Sequence, residues 1–119
     1  MIEQILIYLL EKWKNRESLK TFGAERSPMW RKVRSEHLKK FPNCAVCGGT
    51  ETLEIHHKLP FHLDPKLELD PKNLITLCES GRNGIVCHRG IGHLGSYQSY
   101  NKDIEKDAKW LKEKIKNRP

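Results

Sequence analysis

Apolar positions recur along the chain with two different periods, and the change of period divides it. Ile2, Ile5, Leu6, Ile7, Leu9 and Leu10 open the sequence, and the stretch from Ile2 to Lys14 reads as a helix with a mostly apolar surface. A looser polar stretch follows through Gly23. Ser27-Pro28 is a helix-start signal, because Ser caps orphan amides and Pro suits the first helical position. Trp30, Val33, His37 and Phe41 then recur at three- and four-residue spacing, which turns one face inward and leaves Arg31, Lys32, Arg34 and Lys39 to water or phosphate. Pro42 ends this helix.

The centre changes character. Cys44-Ala45-Val46-Cys47-Gly48-Gly49 is a tight turn carrying two thiols. Leu53 to Leu59 reads as a short strand and Leu74-Ile75-Thr76-Leu77 as a second, so a hairpin-like ribbon with a long Pro60–Pro71 loop is expected. His88 to about Leu94 reads as one or two helical turns, although Gly90, Gly92 and Gly95 interrupt it. In the last segment, from Asn101, Ile104, Ala108, Leu111 and Ile115 form a helical stripe expected to pack on the core. Asp103 and Glu105 stand early and Lys114, Lys116 and Arg118 late, which suits the helix dipole. Trp13, Trp30 and Trp110 lie on helical patterns and are expected in the core. No internal repeat or low-complexity segment interrupts this order.

A chain of 119 residues, 37% of them hydrophobic, has one domain's worth of sequence and a modest core that benefits from a staple. The apolar opening does not read as a signal peptide, since Glu3 and Gln4 break it and no small-residue cleavage site follows. It is also too short to span a bilayer. A buried N-terminal helix and a cytoplasmic protein with no membrane contact are therefore expected. In that compartment thiols stay reduced, and clustered cysteines bind metal more often than they form disulfides.

Charge is unevenly spread. Residues 1–43 carry 10 basic and 5 acidic side chains, residues 44–100 carry 5 and 6, and residues 101–119 carry 7 and 4. Basic flanks around a near-neutral centre suit a polyanion such as DNA, although Lys-rich helices serve solubility equally well. The candidate phosphate contacts are Arg31, Lys32, Arg34, Lys58 and Arg89.

Cys44-x-x-Cys47 has the spacing of a zinc knuckle, in which both thiolates reach one tetrahedral ion. Cys78 and Cys87 are more widely spaced, but Gly81, Asn83 and Gly84 let the chain turn back between them. Together the four make a closed structural site for Zn2+ with no position open to water. Two disulfides lose to this reading on compartment. A redox pair loses because no thioredoxin-like βαβ pattern surrounds the motif. Any chemistry must lie elsewhere.

It is expected at Leu53-Glu54-Ile55-His56-His57-Lys58-Leu59-Pro60. Adjacent histidines on a strand point to opposite faces and so divide labour. Asn73 precedes the second strand, His88 follows Cys87 directly, and His93 lies five positions on. In its order this series resembles the HNH endonuclease family, in the form whose ββα-metal core is braced by zinc on four cysteines. The matching text is Cys44-x-x-Cys47, Leu53-Glu54-Ile55-His56-His57, Asn73-Leu74-Ile75-Thr76-Leu77-Cys78 and Cys87-His88, within residues 44–94.

The resemblance implies an α+β fold: a small ββα-metal core with a two-stranded antiparallel ribbon, a four-cysteine zinc site and flanking N- and C-terminal helices. It implies one nuclease domain over residues 1–119, with a helical flank at 1–43, the core at 44–95 and a C-terminal helix at 101–117. His57 matches the general base, for which an ordinary imidazole pKa of about 6.5 is suited. Asn73 matches the Asn that braces the loop, and His88 the final His, a ligand of the catalytic ion. His56 stands where the family often has Asp, so this metal set is neutral and suits Ni2+ or Zn2+ better than Mg2+, with Mn2+ also a candidate. His93 is an open candidate for a third ligand. The family's usual Lys after the final His is absent, and Gly90-Ile91-Gly92-His93 stands there instead.

His37 and His62 are expected to be ordinary histidines, and Tyr97 and Tyr100 to pack in a loop or stack on bases. A non-catalytic zinc module or scaffold for a protein partner explains the cysteines and the charge but not the ordered His and Asn series. The resemblance leans towards a bacterial or phage-encoded enzyme with little sequence preference, monomeric or dimeric.

Overall fold

The computed structural model describes residues 2–7 and 26–119. Strands β1 (Leu53–His57) and β2 (Leu74–Cys78) form an antiparallel ribbon in which Leu53 pairs with Cys78, Ile55 with Thr76, and His57 with Leu74. Residues paired across the ribbon share a face, and alternate residues take opposite faces. One face therefore carries Ile55, His57, Leu74 and Thr76, and the other carries His56, Ile75 and Leu77.

Both faces are covered, which explains why the strands are apolar rather than cleanly alternating. Helix α1 (Trp30–Lys40) brings Val33 onto Ile55 and Leu74, with Leu69 completing that cluster. On the other side Leu77 packs with Cys44, Val46, Cys78 and Cys87 and with Ile104 and Ala108 of helix α2 (Ile104–Lys116). A single turn of π-helix, His88–Gly92, lies between, closed by the His93 N–H donating to the His88 carbonyl at 3.0 Å. The architecture is the expected small α+β fold, a two-stranded antiparallel ribbon with flanking helices.

The long loop has internal order. Asp64-Pro65-Lys66 and Asp70-Pro71-Lys72 each start a short 3-10 turn, with the Asp carboxylate accepting from the Lys amide at 3.1 and 2.9 Å respectively. Asp before Pro is favourable here because the carboxylate caps amides that Pro's fixed φ has already turned inward.

Several expectations are corrected. Helix α1 begins at Trp30, and the Ser27 hydroxyl instead accepts from the Met29 amide in the preceding turn. Phe41 ends that helix with off-helical angles and is 55% exposed, so the inward stripe stops at His37. Trp110 is 62% exposed, two positions past Ala108 and off the buried stripe. Residues 2–7 are helical, but only Leu6 packs against the core, while Ile2, Ile5 and Ile7 stay exposed. The rest of the expected first helix, Trp13 included, lies outside the described residues. No described helix is long and apolar enough to cross a membrane.

Leu77 has no exposed surface and joins the ribbon to the cysteine cluster. Leu77→Ala should cost about 2–5 kcal/mol in urea unfolding of the metal-loaded protein. A loss below about 1 kcal/mol would show that the two clusters are not mechanically joined there.

Candidate metal centre and active-site cleft

The sulfurs of Cys44, Cys47, Cys78 and Cys87 lie within 4.8 Å of one another, three of the residues being buried. Cys47 Sγ and Cys78 Sγ are 3.6 Å apart. Tetrahedral ligation with metal–sulfur bonds of roughly 2.3 Å places sulfurs about 3.8 Å apart, so the spacing suits a single ion. The electrostatics agree. The Cys87 thiol, by hydrogen bonding, holds Cys44 down at about 4, while the same contact together with burial pushes Cys87 up. Burial raises Cys78 as well. Four thiols crowded this closely suit a single cation that takes them as thiolates.

The second cluster is His56, His88 and His93, with one nitrogen from each within 4.8 Å of the others. The π-turn makes it possible, since its wider turn puts residues five apart on one side. Gly92 is needed beneath it: a Cβ there would stand 3.0 Å from Leu77 Cδ1 and 3.3 Å from His56 Cε1.

The outer nitrogens of two rings are engaged. His93 Nδ1 donates to the Ser99 carbonyl at 2.7 Å, and His88 Nδ1 meets the Glu79 carboxylate. The Tyr97 hydroxyl, 3.0 Å from both Glu79 oxygens, holds that carboxylate. A carbonyl can only accept, so the His93 proton sits on Nδ1 and Nε2 keeps its lone pair. His93 Nε2 then faces His88 Nε2 at 3.2 Å. His56 Nε2 is buried with no hydrogen-bond partner among the described residues. Burial, followed by the charges of His88, His93 and His57, holds His56 down at about 3, so it is a neutral donor. Ligating histidines commonly give their other N–H to a carboxylate or carbonyl, and these residues fit a divalent ion on that ground.

His57 takes the opposite face. Its ring lies 4.5 Å from that of Trp30, and Nε2 donates to the Glu68 carbonyl at 2.9 Å. Burial, against the raising effect of that hydrogen bond, lowers His57 to about 4, below the ordinary value expected from sequence. The Asn73 side chain is buried beside it and spans the loop: Oδ1 accepts from the Leu59 amide at 2.8 Å, and Nδ2 donates to the Leu59 and Leu67 carbonyls at 3.1 and 3.2 Å. A single cleft of about 330 Å³ is lined by His57 together with His56, His88 and His93, and by Arg26, Phe61, His62, Tyr97 and Tyr100.

The HNH endonuclease family model matches residues 44–93, from the first cysteine of the knuckle to the last histidine of the cluster. Residues 44–93 are thus similar to HNH endonucleases. No curated protein and no solved structure matches the chain.

Within the matched segment the structure gathers His56, His88 and His93 in one cluster and the four cysteines in another. It does not gather the expected phosphate contacts at the cleft. Arg31 and Lys32 lie exposed on α1, Arg34 sits 3.7 Å from Glu54, Lys58 pairs with Glu105, and Arg89 is exposed. Sequence reading passed over Glu79, Ser99, Glu68 and Arg26. A usable signal existed for Glu79 alone, which follows Cys78 as His88 follows Cys87.

Gly92→Ala should weaken divalent-ion binding at the histidine cluster about tenfold or more in calorimetric titration, leaving the cysteine-bound metal in place. Unchanged affinity would mean that His56 does not need the space beneath the turn.

Proposed function

We propose that this chain is a metal-dependent endonuclease that hydrolyses phosphodiester bonds in DNA. The observation that carries this reading is the single cleft lined by both an oriented imidazole, His57, and a three-imidazole cluster suited to a divalent ion. The HNH match of the same segment supports it.

His57 is the general base. Because Nε2 donates to the Glu68 carbonyl, the ring's proton resides there, and Nδ1 holds the lone pair that takes a proton from the attacking water. Its lowered pKa keeps it neutral at pH 7 with the Nδ1 lone pair free, at the cost of a weaker base. Asn73 touches no substrate in this scheme. It braces Leu59 and Leu67, and so fixes the loop from which the Glu68 carbonyl orients His57. Water oxygen bonds to phosphorus, the proton passes to His57, and the bond to the leaving oxygen breaks.

His56, His88 and His93 hold the divalent ion, and Glu79 and Ser99 set the orientation of the last two. When bound, such an ion supplies Lewis-acid stabilisation of the charge building on the leaving oxygen. With three neutral nitrogen donors, Ni2+ or Zn2+ is favoured over Mg2+, and Mn2+ remains a candidate. The cysteine cluster is assigned to structural Zn2+. One such site cuts one strand, so a monomer nicks and a dimer breaks both strands.

Supercoiled plasmid incubated with the zinc-loaded protein and Mg2+, Mn2+ or Ni2+ tests this directly. The wild type should relax plasmid, and His57→Ala should do so about 10²- to 10⁴-fold more slowly. Equal cutting by both removes the base assignment. Failure of the wild type with every ion favours a nucleic-acid-binding module without catalysis.

A further inference from the structure

The cleft has one permanent cation among its lining residues, and it comes from outside the family-matched segment. Arg26 lies just ahead of α1 and borders the same space as His56, His57, His88 and His93. Two contacts hold its guanidinium. Nη1 donates to Glu68 Oε2 at 3.4 Å, and Cζ sits 4.3 Å over the Phe61 ring.

Glu68 is the less expected partner. Its side chain has no exposed surface, and its second carboxylate oxygen accepts from the Ser27 amide at 2.9 Å. A carboxylate so deeply buried is costly unless charge and hydrogen bonds compensate it. Arg26 and Ser27 do so, and in return the guanidinium is fixed. Yet the Arg26 side chain remains 52% exposed. The Glu68 contact occupies one of its five N–H donors, and among the described residues no other acceptor takes the rest. A fixed, half-exposed guanidinium with spare donors at the edge of a cleft is built for a planar or tetrahedral oxyanion.

Glu68 has a second role. Its backbone carbonyl is the acceptor that orients His57. One residue therefore sets both the cation and the base, and their relative placement is built into a single short stretch of chain.

We propose that Arg26 forms a phosphate subsite in this cleft, gripping the non-bridging oxygens of the phosphodiester presented to His57, with Glu68 as its positioning residue. This rests on the endonuclease reading and adds to its divalent ion a cationic side chain that receives the charge of the non-bridging oxygens. The guanidinium shares the negative charge that grows on the phosphoryl oxygens as water adds.

The test uses the full chain, loaded with zinc and with the divalent ion that best supports cutting, or Mn2+ if none does. Plasmid-nicking kinetics are measured for wild type, Arg26→Gln, Arg26→Lys and Glu68→Gln. Binding of a short duplex is measured across a salt series with each change placed on a His57→Ala background. Arg26→Gln should lower kcat about 100-fold with a smaller change in KM. It should also reduce the slope of log Kd against log salt by about 0.9, one phosphate contact. Arg26→Lys should restore the slope but not the rate, because an ammonium lacks the fork. Glu68→Gln should keep the slope and lower kcat, since the cation remains but is no longer held. An unchanged slope in Arg26→Gln overturns the subsite, whatever the rate does. If the wild type cuts with no ion, the endonuclease reading fails while the slope still decides the subsite. Thermal melting and zinc content show whether each variant is folded, and if Arg26→Gln is not, a wild-type rate in Arg26→Lys overturns the proposal.

Discussion

The four sulfurs of Cys44, Cys47, Cys78 and Cys87 converge at the meeting point of elements that have little else to hold them together. The ribbon has two strands of five residues each, and an isolated two-stranded ribbon is marginal in water. Cys44 and Cys47 belong to the turn after α1, Cys78 ends β2, and Cys87 precedes the π-turn. Drawing these thiols onto one ion closes two loops at once and converts a weak ribbon into a fixed platform. The chemistry inherits that placement through the chain itself. Glu79 follows Cys78, and His88 follows Cys87, so the staple delivers the carboxylate and the imidazole that contact each other.

In the proposed scheme the ribbon separates two tasks that must not interfere. His56 points under the π-turn, where burial keeps it neutral beside two other imidazoles. His57 points towards Trp30 and is oriented from the loop. A base that was also a metal ligand would lose its lone pair to the ion. Strand alternation avoids this within two consecutive residues, and the cleft at the ribbon's edge reunites their effects.

Much of this was legible in the sequence because ligand spacing is a local property. Cys44-x-x-Cys47 needs only a tight turn, and the order of His56, His57, Asn73 and His88 survives any detail of packing. His93 was left open because an ordinary hydrogen-bonded histidine explained it equally well, and the π-turn that brings it beside His56 and His88 has no recognisable sequence signal. Phe41 and Trp110 were misread for opposite reasons. Phe41 continues the spacing but falls beyond the helix end, and Trp110 lies on the helix but off its buried stripe. Arg26 and Glu68 were invisible because an ion pair across 42 residues leaves no periodic trace, whereas Glu79 was overlooked although it follows Cys78 as His88 follows Cys87. Charge patterning marked basic flanks but could not place the basic side chains relative to the cleft.

On this reading one chain holds two distinct metal sites, one of thiolates and one of imidazoles. Cobalt(II) titration of the metal-stripped protein, followed by absorption, tests it most directly. Thiolate charge-transfer bands should saturate at one equivalent, and weaker visible bands should grow to a second equivalent that disappears in the His56→Ala, His93→Ala double variant. Saturation of all bands at one equivalent, or a second equivalent that survives the double substitution, would contradict it.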